Sequence, residues 1–105
     1  MNRRLLLVIT IFITLINITS CVTTQAPIEE FTLADAAIKA AKSVQAVRYS
    51  SGYWHQAEEF YRQARILYRE REYEQAKDLF IQARIAAEKA ENSARLLRQK
   101  TGDIL

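Results

Sequence analysis

Residues 57–83 read AEEFYRQARILYREREYEQAKDLFIQA, and one spacing occurs in them twice. Ala57-x3-Tyr61-x2-Ala64 returns as Ala76-x3-Phe80-x2-Ala83, and more loosely upstream as Ala34-x3-Ile38-x2-Ala41. Steps of four and three keep each triplet on one face of an α-helix. Alanines at both ends let two helix axes approach closely, while the ring between them fills the groove. The stretch therefore predicts packed helices, with Ala57, Tyr61, Ala64, Ala76, Phe80 and Ala83 at their contacts.

Working outward, the spacing predicts a helix over about 52–70. One stripe on it is Trp54, Ala57, Tyr61, Ala64 and Tyr68, and a second is Tyr53, Phe60 and Leu67. Two stripes place this helix between two others, with Glu58 and Arg62 paired on its outer side. Arg71-Glu72 marks a tight turn without a glycine. A third helix follows over about 72–100, on Tyr73, Ala76, Phe80, Ala83, Ala87, Ala90, Ala94 and Leu97, and Gly102 offers a stop. A first helix is expected over 31–47, starting at Phe31 or Thr32 with Thr32 and Asp35 as its cap. Between the first two helices, Ser50 or Ser51 can accept a hydrogen bond from the free amides of the second. The only glycines, Gly52 and Gly102, and the only proline, Pro27, lie outside the periodic runs. The fold expected is all-α: a three-helix antiparallel unit over residues 31–100.

Tyr73-x2-Ala76-x3-Phe80-x2-Ala83 resembles the second helix of a tetratricopeptide repeat, although Glu88 stands near the place of that motif's final proline. The unit is therefore expected to pack in a tetratricopeptide-like way. Its third helix is longer than its second by about nine residues, or ~14 Å at 1.5 Å per residue. The excess begins near Glu91 and keeps an apolar stripe, Ala94 and Leu97, with Leu96 beside them. Uncovered apolar residues favour a partner, so Ala94, Leu96 and Leu97 are candidate partner contacts, a frayed terminus being the alternative. On this reading, truncation after Ala90 leaves the fold nearly intact.

The N-terminus has a different character. Arg3 and Arg4 precede an apolar run from Leu5 to Ile18, interrupted only by Thr10, Thr14 and Asn17. Such an order describes an export signal. Ile18-Thr19-Ser20-Cys21 resembles the lipobox of bacterial lipoproteins, which implies a diacylglyceryl group on the Cys21 thiol, cleavage before it and acylation of the freed amine. Residues 1–20 are then a lipoprotein signal peptide, and 21–30 a lipidated cysteine and tether. An uncleaved anchor is the alternative, but the apolar part falls short of the ~20 residues a spanning helix needs. Cys21 is the only cysteine, so no internal disulfide can form and lipid supplies the thiol with a use. Removing Arg3 and Arg4 takes the basic count from 15 to 13 against 12 acidic residues, leaving the processed chain at +1. That balance gives no nucleic-acid footprint.

Residues 27–95 carry a second resemblance. Their order is Pro27, an Ala-rich helix, Tyr49-Ser50-Ser51-x2-Trp54-x2-Ala57, an aromatic-rich helix, then Tyr73-x2-Ala76 and an Ala/Glu/Arg helix. This is similar to the bacterial envelope family called domain of unknown function 4398. Members commonly read Tyr-Ala-Pro-x2-Leu-x2-Ala at the first turn, where Ser50, Ser51 and Trp54 stand here. The resemblance implies a helical fold and an envelope location, and no activity.

No catalytic set emerges. His55 has Glu58 and Glu59 at helical spacing, too few for a metal site. No phosphate loop, cofactor motif or small-molecule substrate site is evident. Eight of the ten aromatic residues lie between Tyr49 and Phe80. They read chiefly as core, with a partial groove offering tyrosine hydroxyls to a partner as the other reading. The expected function is non-enzymatic: a lipid-anchored envelope adaptor or scaffold, bound to the membrane through Cys21 and to an envelope protein through helix packing. A self-associating envelope component and an accessory subunit of an envelope enzyme or secretion complex are the alternatives. Val22 stands where a lipoprotein retained at the inner membrane often has Asp. In a host with two membranes this favours the periplasmic side of the outer one.

Overall fold

The computed structural model describes residues 2–16 and 24–102. Among them every regular element is helical: α1 (Arg3–Ile16), α2 (Ile28–Ser43), α3 (Ala46–Tyr49), α4 (Ser51–Arg69) and α5 (Tyr73–Thr101). Helix α1 touches none of the others.

Helix α2 begins earlier than the expected Phe31 or Thr32. Pro27 lies just before it, where a missing N–H removes no helical bond, and Pro27 O accepts from Phe31 N–H at 3.0 Å. Glu29 and Glu30 in the first turn suit the positive helix end. Thr32 is therefore no cap but one turn inside, its hydroxyl donating to Ile28 O at 2.8 Å. The expected tether over 21–30 correspondingly gives up its last three residues to helix.

The first helix also stops short of Val47. Gln45 turns left-handed (φ 59°), and its carbonyl accepts from the amides of Arg48 and Tyr49. The chain is redirected into α3, which buries Ala46 completely and packs on α5. Ser50 N–H then donates to Ala46 O at 2.8 Å, closing α3. That bond leaves Ser50 at φ −144°, ψ 55°, and its side chain caps nothing on α4.

The turn after α4 works without a glycine. Glu72 N–H donates to Leu67 O (2.9 Å) and Arg71 N–H to Tyr68 O (3.1 Å), with Arg71 left-handed at φ 62°. This is a Schellman motif carrying arginine where glycine is usual. At the other end of α5, Gly102 takes the left-handed position at φ 77°.

Helix α5, not α4, lies between the other two. Helices α2 and α4 each run along it and scarcely meet one another. The reason is the width of its alanine face: Ala76, Ala83, Ala86, Ala87, Ala90 and Ala94 are all buried. By contrast, Tyr53 on the second stripe of α4 stays 44% exposed. The core has two parts joined by Phe60. Ala34, Ala64, Ala76, Phe80 and Ala83 form one, with Phe31, Tyr61, Leu67 and Tyr68 against it. Ala41, Val44, Ala46, Trp54, Ala57, Ala86, Ala87, Ala90 and Ala94 form the other. Early α4 thus meets late α5 and late α4 meets early α5, so the two run antiparallel. Among the described residues, eleven of the fourteen buried apolar residues are alanine, and Phe80 is the one large side chain fully enclosed.

Candidate functional site

Two regions drew attention in the sequence: the aromatic belt and the far end of α5. In the belt, Phe80 is enclosed by Phe31 (ring centres 5.1 Å apart, edge-on), Tyr61 (6.0 Å) and Tyr68 (6.3 Å). Tyr73 stands edge-on to Tyr68 at 5.6 Å. These are the tilted arrangements aromatic rings favour. They join α2, α4 and α5 at one end of the bundle, and Trp54, 6% exposed, anchors the other. Phe31 is the member that sequence reading missed. The Phe31–Ala34–Ile38–Ala41 spacing carries its signal, at a position that also reads as the start of a helix.

The Tyr61 hydroxyl is committed within the chain. It donates to Asp35 Oδ1 at 3.1 Å, while Lys39 Nζ holds Oδ2 at 2.7 Å. The Lys39 hydrogen bond, and after it that of Tyr61, hold the Asp35 carboxyl below its ordinary value against opposing desolvation. Burial and the neighbouring carboxylate push the Tyr61 hydroxyl up. A lowered aspartate contributes stability above its unfolded value of 3.8, and that contribution is lost as pH falls through the folded one. Tyr61→Phe should therefore cost about 0.5–1.5 kcal/mol near neutral pH and less at pH 3, as read from urea unfolding at both. An equal loss at the two pH values would mean that the hydroxyl's contribution does not depend on the Asp35 charge.

On the outer side of α4, Arg62 pairs with Glu59 at 2.7 Å and not with Glu58. Gln63 donates to the same carboxylate, and the two hydrogen bonds hold Glu59 below its ordinary range. Among the described residues, no group of three or more His, Cys, Asp and Glu side chains converges to hold a metal.

At the far end the expected overhang is largely covered. Ala94 has no exposed surface, packed in the core part that also holds Val44, Ala46 and Trp54. Arg98, 9% exposed, donates to Val44 O at 3.3 Å and lies 5.8 Å from the Tyr49 ring centre. The end of α2 and the turn of α3 supply the cover that a two-helix comparison of lengths left out. Truncation after Ala90 would strip this packing, so it cannot leave the fold intact. Leu96 and Leu97 do remain on the surface, at 59% and 40% exposed, as does Val47 at 52%. Ile18, Thr19, Ser20 and Cys21 lie outside the described residues.

A family model described as Domain of unknown function (DUF4398) matches residues 29–102. The chain belongs to that family. Membership in DUF4398 spans α2 nearly from its start through Gly102, the whole of the packed bundle, and leaves α1 outside. No curated protein and no solved structure matches the chain.

Proposed function

We propose that this DUF4398 protein is a non-enzymatic, lipid-anchored adaptor of the bacterial envelope, its α1 segment serving as a signal peptide. The supporting observation is the independence of α1. It is a helix that opens on Arg3 and Arg4 and is otherwise mostly apolar, its residues from Leu5 to Leu15 are exposed, and the bundle packs without it. No helix among the described residues is long and apolar enough to cross a membrane. Two arginines at the start of an apolar helix suit an export signal. Cleavage before Cys21 would leave a tetratricopeptide-like three-helix unit on a short lipidated tether. Confinement at the membrane surface raises the effective concentration of such a unit for a partner there. In a host with two membranes the site is the periplasmic side of the outer one.

The surface offered to that partner is Leu96 and Leu97 on α5, with Val47 exposed on the neighbouring α3. A photo-crosslinking residue at position 96 of the full chain, activated in cells, should yield a discrete adduct, weakened at least fivefold by Leu97→Glu. An adduct of twice the chain mass would assign the alternative, a self-associating envelope component. Absence of any adduct sinks both.

A further inference from the structure

The bundle is electrically lopsided, which the net charge of +3 for the whole chain conceals. The two parts of the core divide it into halves. Around Phe80 lie residues 28–38 and 59–83, with five basic and eight acidic side chains. Around Trp54 lie residues 39–58 and 84–102, with eight basic and three acidic. One half therefore stands at −3 and the other at +5. Toward the tip of the positive half the contrast sharpens. Residues 36–57 and 92–102 hold six Lys or Arg and no Asp or Glu.

Part of that charge is spent within the chain. Lys39 is held by Asp35 at 2.7 Å, and Arg98 is buried, donating to Val44 O. On α5, Arg84 and Arg95 face Glu88 (3.8 Å) and Glu91 (2.9 Å), so both carboxylates of this stretch are already matched. Lys42, Arg48, Lys89 and Lys100 remain exposed, and none forms an ion pair with a described residue. Two of them bracket the apolar surface assigned above to a partner. Lys100 stands four residues after Leu96 and Lys89 seven before it, steps that return to one face of α5. Arg48 follows the exposed Val47 in α3, and Lys42 lies in the last turn of α2. An apolar centre inside a polar rim is the anatomy of a protein contact. A rim of one sign decides which surfaces can approach it.

We infer that the partner at Leu96, Leu97 and Val47 is an acidic protein surface, its apolar centre against the leucines and its carboxylates facing Lys89, Lys100, Arg48 and Lys42. The inference rests on the adaptor reading and adds the chemistry of the partner. A second copy of the chain fits the surface poorly. Two-fold pairing through Leu96 sets the positive half against itself. Head-to-tail pairing needs the negative half of a neighbour. The tether leads into that half, at the start of α2, and would hold all copies on one membrane by the same end.

The test adds charge variants to photo-crosslinking from position 96 of the full chain in cells. Lys89→Glu with Lys100→Glu should weaken the adduct at least fivefold, and Lys89→Gln with Lys100→Gln at least twofold. Lys89→Arg with Lys100→Arg should preserve it. Arg65→Glu with Arg69→Glu, an equal change of charge on exposed residues of the other half, should preserve it as well. The crosslinked peptide of the partner, sequenced by mass spectrometry, should hold more acidic than basic residues. Circular dichroism checks the helicity of each variant, and if the Glu pair is misfolded the Gln pair decides. An adduct insensitive to the Lys89 and Lys100 charges, or weakened as much by the Arg65 and Arg69 control, overturns the inference and leaves the adaptor reading standing. So does a partner peptide of neutral or basic balance. An adduct of twice the chain mass overturns it in favour of a second copy. Absence of any adduct sinks the adaptor reading and this inference together.

Discussion

Ala64→Arg and Ala76→Arg should each abolish the cooperative thermal transition and most of the helical circular dichroism at 25 °C. Both alanines have no exposed surface and belong to the core part around Phe80. The site offers room for one methyl group. An arginine there must push α4 and α5 apart or fold its long chain back, and overpacking alone costs about 1–3 kcal/mol. Its guanidinium would also be drawn into an apolar contact with no carboxylate to pair, a further cost of about 3–5 kcal/mol by comparison with broken buried pairs. Small domains sit near the bottom of the usual range of about 5–15 kcal/mol, so the sum exceeds what the fold can lose. Ala36→Arg is the control, since Ala36 lies on the exposed side of α2. Unchanged melting in both core variants would refute the close-packed arrangement of helices.

Cys21→Ser should eliminate incorporation of a labelled fatty acid and leave the protein at precursor size in cells. The effect is all-or-none because the thioether to diacylglycerol needs a thiol, and Cys21 is the only one in the chain. An uncleaved anchor makes the opposite forecast. It would be unlabelled in the wild type, and the substitution would change neither its size nor its membrane fraction. Gel mobility and label in the two proteins therefore separate the readings in one experiment. Normal processing and labelling of the serine variant would end the lipoprotein proposal.

The helical class and the positions of α4 and α5 could be read from side chains, because one spacing of alanine and aromatic residues governs both. What escaped was decided by the backbone. Residues 44–47 continue an apolar helical pattern, and nothing in the identity of Gln45 announces a left-handed turn; the break exists because Ala46 finds α5. Ser50 has the right identity for a cap but loses the geometry to a bond made by its own amide. The central position of α5 was missed for another reason. A second apolar stripe on α4 looked like a second interface, whereas alanines, weakly hydrophobic singly, built the wider face. The far end of α5 was misjudged by comparing two helices where three elements share the cover.

A spine made of alanine also shapes how such a sequence can change over generations. In a core of leucines and valines, one residue can shrink while its neighbour grows, and drift proceeds through many compatible pairs. Here eleven of the fourteen buried apolar positions among the described residues already hold the smallest side chain that keeps full helix propensity. Glycine would loosen the helix by about 1 kcal/mol, serine would bring a hydroxyl needing a partner, and valine would not fit between the axes. Compensation from neighbours is narrow as well, since most of the other buried residues are alanines with nothing to give up. Lineages carrying this bundle should therefore diverge on their outer faces and at Leu96 and Leu97, while the columns at Ala57, Ala64, Ala76, Ala83, Ala87, Ala90 and Ala94 stay nearly frozen.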